Sequence, residues 1–177
     1  MYTSLSEELR EILENHSQWL ELMNKNPRPV LTENQMSLRA DLGNMSLRDL
    51  DLYGINLSYA SAINTDFSGS RLTNANLKGL YAPDARFEDC TIISASFRNI
   101  YGKGVSFYMS NLSKCDFSHS FIADANFDHA DLADVRFHGC HMDGATMTHA
   151  PIKGADFRFF NIGKDDLVAI EIMRMAM

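Results

Sequence analysis

The chain has 177 residues with a formal net charge of −7 and a pI near 5.3, long enough for a single domain with a substantial core. That charge argues against nucleic acid as a direct ligand, because a surface that grips phosphates needs Lys and Arg to neutralise them. The cysteines are odd in number, and Cys90, Cys115 and Cys140 are evenly spaced with no close pair, which argues against a disulfide framework or a zinc site.

Residues 1–39 read as a cap and a connector. Ser4-x-x-Glu7 has the form of a capping box, and Leu5, Leu9, Ile12, Leu13, Leu20 and Met23 follow at helical spacing, which predicts an amphipathic helix from about Leu5 to Met23. Asn24, Asn26, Pro27 and Pro29 end it. Glu7, Glu8, Arg10, Glu11 and Glu14 mixed among its apolar residues exclude a signal peptide or a membrane span, and the expected location is the cytoplasm. His16 and Trp19 are expected to pack inside the cap.

From residue 40 to 167 an apolar residue returns every fifth position, from Leu42, Leu47, Leu52 and Leu57 to Phe157, Ile162 and Leu167. Of 26 positions in this phase, 23 are Leu, Ile, Phe or Met. Period five suits neither a helix nor a strand, so the chain must turn a corner once per unit. The exceptions Ala62, Ala82 and Gly102 recur at every fourth unit, so four units make one coil. Two residues before each centre, 19 of the 25 positions from Ala40 to Phe160 are Ala, Ser, Thr, Cys or Val and none is charged. This is a second inward register, and it holds all three cysteines as reduced core residues. Leu80 precedes Ala82 and Ile100 precedes Gly102, a swap that keeps core volume constant.

The centres sort into four sides. Side one holds Leu42, Ala62, Ala82, Gly102, Ile122 and Met142; side two Leu47, Phe67, Phe87, Phe107, Phe127 and Met147; side three is aliphatic from Leu52 to Ile152; side four runs from Leu57 and Leu77 through Phe97, Phe117, Phe137 and Phe157. Coils paired as parallel strands about 4.8 Å apart make about six coils a filled rod of roughly 30 Å. Residues 168–177 follow as an apolar segment, predicted to form a short helix whose Ile170, Ile172, Met173 and Met175 cap the far end or join a second chain.

Asp41-Leu42, Asp66-Phe67, Asn76-Leu77, Asp116-Phe117, Asn126-Phe127, Asp131-Leu132 and Asp156-Phe157, each set between small and polar neighbours, resemble the unit of the pentapeptide-repeat family. The string Leu9-x-x-Ile12-Leu13-x-x-His16-x-x-Trp19-Leu20 resembles a leader of some bacterial and phage members. The resemblance implies an all-β solenoid, a right-handed quadrilateral parallel β-helix, capped by the N-terminal helix and the short C-terminal one.

No phosphate-cradling glycine loop, nucleophile elbow or His-Glu-x-x-His motif occurs, so no enzyme, cofactor or metal is expected. His129 and His149 should stack one coil apart and could ligate a metal with Asp89 or Asp128, but exposed polar histidines are the commoner outcome. Two surfaces stand out. Sides one and two carry most of the acids, including Asp66, Glu88, Asp89, Asp124, Asp128 and Asp143. Side one also places Tyr81, Tyr101, Phe121 and His141 in a column, either outward as a contact strip or turned inward by local irregularity.

Some pentapeptide-repeat proteins imitate duplex DNA and bind type II topoisomerases, so the resemblance implies a DNA mimic whose acidic sides modulate a DNA-processing enzyme. The quinolone-protecting branch has loops that interrupt the coils, whereas the period here runs unbroken from Leu42 to Leu167. The alternative is a scaffold that recruits a protein through the aromatic strip without mimicry. A homodimer through the C-terminal helix is compatible with both.

Overall fold

The computed structural model describes residues 5–25 and 38–161. The predicted C-terminal helix, with Ile170, Ile172, Met173 and Met175, and the capping residue Ser4 lie outside the described residues.

The corner of each unit fixes the architecture. Every fifth residue from Asn44 to Phe159 has a positive φ, between 53° and 76°, and at most turns the residue after it donates its N–H back to the centre three positions earlier, as Met45 does to Leu42 at 3.0 Å. This is the pattern of a type II turn, which needs a left-handed residue at its third position. Leu50 and Cys90 donate instead to the hydroxyls of Ser70 and Ser110. Between turns the chain is briefly extended, enough for one bridge to the next coil. Leu42 N–H donates to Ser61 O at 2.8 Å, and Ser61 N–H to Ala40 O at 2.9 Å. Parallel bridges of this kind join each unit to the fourth one after it, in columns that begin Asp41↔Ser61, Ser46↔Asp66, Asp51↔Arg71 and Asn56↔Asn76. The result is the four-sided β-solenoid that the period of five requires.

The core is two phenyl ladders that meet edge to face. Phe67, Phe87, Phe107 and Phe127 of side two stack with ring centroids 4.6–5.2 Å apart. Phe97, Phe117, Phe137 and Phe157 of side four stack at 4.6–5.4 Å. Across the core the ladders interlock in near-perpendicular pairs, from Phe87–Phe97 to Phe127–Phe137, a geometry that suits the aromatic quadrupole. On side one the volume swap holds: a Cβ on Gly102 would lie 3.3 Å from both Ile100 Cδ1 and Val105 Cγ1, so Ile100 fills what Gly102 leaves empty.

Small polar residues of the second inward register sit inside because they have carbonyls to serve. The hydroxyls of Thr65 and Ser70 donate to Leu42 O and Leu47 O, and the thiols of Cys90, Cys115 and Cys140 to Phe67 O, Ile92 O and Phe117 O at 2.7–3.1 Å. All three cysteines are free and buried, and burial pushes their thiols up to about 12. They act as small core residues, as their register predicts.

One helix, α1 (Glu7–Lys25), is present among the described residues. Its N-cap is Ser6, whose hydroxyl accepts the Leu9 N–H at 3.2 Å, so the helix begins and ends slightly later than the capping-box reading places it. Leu5, Leu9 and Leu13 join the solenoid core. His16 is 1% exposed, stacks on Trp19 at 5.7 Å, and its Nδ1 accepts the N–H of Ala40 at 3.1 Å. Trp19 in turn meets the Tyr59 ring edge-on. Both residues therefore pack in the cap, and the imidazole clasps α1 to the start of the first coil.

Two expectations follow. Phe107→Asp places an unpaired charge among four rings and prevents folding, whereas Phe107→Leu folds at a cost of about 2 kcal/mol, read from the denaturation midpoint. His16 gives the second. Burial, against a smaller opposing effect of the Ser58 backbone and helped by Arg39, lowers its pKa from 6.5 to about 4. The unfolded chain thus binds this proton at higher pH than the folded one. The contribution of His16 is complete above about pH 6.5 and is lost as pH falls towards 4, by up to roughly 3 kcal/mol. His16→Leu should flatten the pH dependence of stability in that window.

Candidate functional site

Each unit offers three outward positions, and turn chemistry dictates two of them. The residue before the centre carries the bridge, and where it is Asp or Asn its side-chain oxygen accepts the N–H two positions on. Asp41 receives Gly43, Asp51 Tyr53, Asp66 Ser68, Asp116 Ser118, Asp131 Ala133 and Asp156 Arg158, all at 2.9–3.2 Å. These are Asx turns, the local bond for which short carboxylates and amides suit turns. The second turn residue is the left-handed one, where Gly, Asn, Asp and His are least strained. It holds Asp49, Asp84, Asp89, Asp124 and Asp134, and also His119, His129 and His149. The late histidines are therefore largely turn residues. His129 and His149 do stack, 5.1 Å apart, and among the described residues no three metal-ligating side chains converge.

Only the first turn residue is free of such demands, and three acids occupy it: Glu88, Asp128 and Asp143. All three lie on sides one and two. This distinction, invisible to a count of charges, was legible in the repeat frame once the column two places after each centre is seen to be rich in Gly, Asn, Asp and His.

The predicted acidic residues fare differently. Asp66 is already committed, bound by Arg48 at 3.0 Å and by Arg86. Partial burial works against its charge, yet contacts with Ser68, Arg86 and Arg48 hold its carboxyl well below the usual range. Asp124 lies 3.8 Å from Lys103, and Asp143 3.0 Å from His141 Nε2. Asp128 accepts the Thr148 N–H at 2.7 Å. Glu88 and Asp89 adjoin one another in the side-two turn, Asp89 exposed and Glu88 half-buried.

The side-one rings point outward. Tyr81, Tyr101, Phe121 and His141 stack face to face with centroids 5.1, 5.0 and 4.8 Å apart, on the bridge column Ser61, Tyr81, Tyr101, Phe121, His141, Asn161. The inward alternative is thereby excluded. Their surroundings differ from the sequence reading in one respect. A turn belongs to the two sides it joins, so this column is bordered by the acidic side-one turns with Asp84, Asp124 and Asp143, and equally by the preceding side-four turns with Lys78, Arg98 and Arg158. Assigning each turn to one side concealed that basic border.

Among the described residues no helix is long and apolar enough to cross a membrane. The pattern of the pentapeptide-repeat family matches the chain in eight copies, over residues 39–74, 51–88, 83–118 and 122–158. No curated protein matches. Among solved structures the chain is similar to QnrB1, a plasmid-mediated fluoroquinolone resistance protein, with 13% identity over 77% of this chain and 90% of that one and a TM-score of 0.41. A pentapeptide repeat protein of the Arabidopsis thaliana thylakoid lumen aligns with 24% identity over 73% and 76%, at a TM-score of 0.38. HetL from the cyanobacterium Nostoc, involved in regulating heterocyst differentiation, aligns with 12% identity over 71% and 90%, at 0.20.

Asp116 tests the two roles of a bridge-column acid. It caps its turn through the Ser118 N–H and lies between Arg98 at 3.2 Å and Arg136 at 3.7 Å. Asp116→Asn keeps the turn bond and removes only an exposed ion pair, so it should cost less than about 1 kcal/mol. Asp116→Ala loses both and should cost about 1–2 kcal/mol. Equal denaturation midpoints for the two variants would assign the residue to charge pairing alone.

Proposed function

The chain belongs to the pentapeptide-repeat family, and from that premise we propose a non-catalytic, protein-binding solenoid of the cytoplasm whose sides one and two imitate duplex DNA in the groove of a DNA-processing enzyme. A type II topoisomerase is the class of enzyme proposed. The observation that carries this reading is the one-sidedness of the charge. With each turn counted on the side it follows, sides one and two bear nine carboxylates against three basic side chains among the described residues of the solenoid, while sides three and four bear five against seven, of which Lys78, Arg98 and Arg158 lie at the edge that meets side one. Turn chemistry accounts for acids on every side, but not for Glu88, Asp128 and Asp143, which occupy turn positions that accept any residue. The size is also suitable. About six coils at roughly 4.8 Å make a rod near 30 Å, the length of roughly nine base pairs.

The stacked rings of side one support a second reading, in which that side contacts a protein without mimicry. Salt and competition separate the two. Mimicry weakens steeply with ionic strength and yields to duplex DNA, while apolar contact does neither.

The test uses a purified type II topoisomerase and measures binding with and without competing duplex. Reversing Glu88, Asp89 and Asp128 to Lys should abolish binding with circular dichroism unchanged, since none of the three is a core residue. Reversing Lys114 and Lys153 to Glu, on side three, should leave binding intact. Equal loss in both variants, or loss in neither, would reject mimicry.

A further inference from the structure

We propose that side one is a self-association surface on which a second copy of this chain packs side by side and parallel, ring column against ring column. This deepens the second reading above, rests on it, and names the partner.

Exposed apolar bulk is concentrated here. Of the eight large hydrophobic side chains exposed among the described residues, five lie on side one or its two bordering turns: Tyr59, Ile63, Tyr81, Tyr101 and Phe159. Patches of this kind mark contact surfaces. The rings cover one another's faces and present their edges in a nearly flat row. That row cannot enclose a cation or a small molecule, but it can lie against another flat row.

The charges choose the occupant and its direction. One border of the row is basic, with Lys78, Arg98 and Arg158, and the other is acidic apart from Lys103, with Asp84, Asp124 and Asp143. A second copy related by a two-fold axis along the rod brings its acidic border opposite the basic border of the first, and the same contact recurs on the other edge. A two-fold across the rod, which makes the copies antiparallel, sets basic against basic and acidic against acidic. The parallel arrangement is the more complementary of the two, and it keeps residues of equal height together: Lys78 of one copy lies level with Asp84 of the other. Arg98 lies level with Lys103, whose ammonium is drawn to Asp124. Arg98 now reaches Asp116 across its corner and its side chain remains 47% exposed, so it can instead meet the acids one coil above or below. Like-charge contact in the wrong arrangement is the larger penalty, and such penalties fix orientation.

Sedimentation velocity on the full chain tests this. Wild type should show a concentration-dependent dimer. Lys78→Glu with Arg98→Glu makes both borders acidic, and Asp84→Lys with Asp124→Lys makes both basic. Each variant alone should dimerise at least tenfold more weakly, and an equimolar mixture should restore a heterodimer, because a net acidic edge then meets a net basic one. Tyr81→Cys should cross-link to itself on mild oxidation, the native thiols being buried. A dimer indifferent to both sets of reversals, such as one formed end to end, would overturn the proposal. So would a Tyr81→Cys variant that cross-links only with a His141→Cys variant, since that pairing belongs to antiparallel rods. A chain that remains monomeric while Tyr101→Ser abolishes salt-resistant binding of another protein would overturn self-association and leave the strip as a contact surface.

Discussion

At every corner of this solenoid one residue adopts a left-handed backbone, from Asn44 to Phe159 without a break. For a residue with a Cβ that conformation costs about 1–2 kcal/mol, and less for Asn and Asp. Repeated at each corner, the cost is of the order of a domain's whole stability, so much of the molecule is arranged to offset it. The Asx oxygen before the centre holds the turn from inside the unit. The i→i+3 bond closes it, and the bridge to the next coil holds it from outside. Where the left-handed residue is bulky, the next coil often supplies a glycine against it: Asp84 lies on Gly104, Asp124 on Gly144 and Tyr59 on Gly79. The acidity of the chain is in large part a by-product of these demands, which is why the acids at unconstrained turn positions carry more information than the net charge.

Side one shows how interior and exterior are coupled. Its centres Ala62, Ala82 and Gly102 are the smallest in the core, and the phenyl ladders on sides two and four meet across the space beside them. Directly outside the same stretch stand Tyr81, Tyr101 and Phe121. The side with least bulk within carries most outside, and its ring stack repeats at the coil spacing for the same reason the inner ladders do. Each residue sits above its counterpart in the coil before.

The sequence disclosed the inner half of the solenoid more fully than the outer half. The two inward registers were legible because burial tolerates few residue types, so Phe107 or Cys115 could be placed by phase alone. Outward positions accept many types, and there the reading depended on turn chemistry that composition obscures. Tyr59, Met109, Lys114 and Phe159 occupy left-handed positions and dilute the Gly, Asn, Asp and His signal enough to hide it. His129 and His149 then read simply as exposed histidines rather than as turn residues. The ring column was ambiguous because phase alone cannot tell a regular outward position from a local irregularity that turns a ring inward. Ser6 displaced Ser4-x-x-Glu7 at the start of α1 because either serine can precede the same apolar stripe, and only the bond to the Leu9 N–H distinguishes them.

The four-unit offset between bridged positions also sets a quantum of length. Inserting or deleting a single unit anywhere in the solenoid would leave every turn and every local bond in place, yet rotate all that follows by a quarter turn. Phenylalanines of side two would then rest on an aliphatic or alanine-lined column, and acids of one side would continue as the bases of another. A lineage of such chains can therefore lengthen or shorten smoothly only by whole coils. A change of any other size redraws the outer surfaces at once, so that a new pattern of faces can arise from a single duplication without the alteration of one residue.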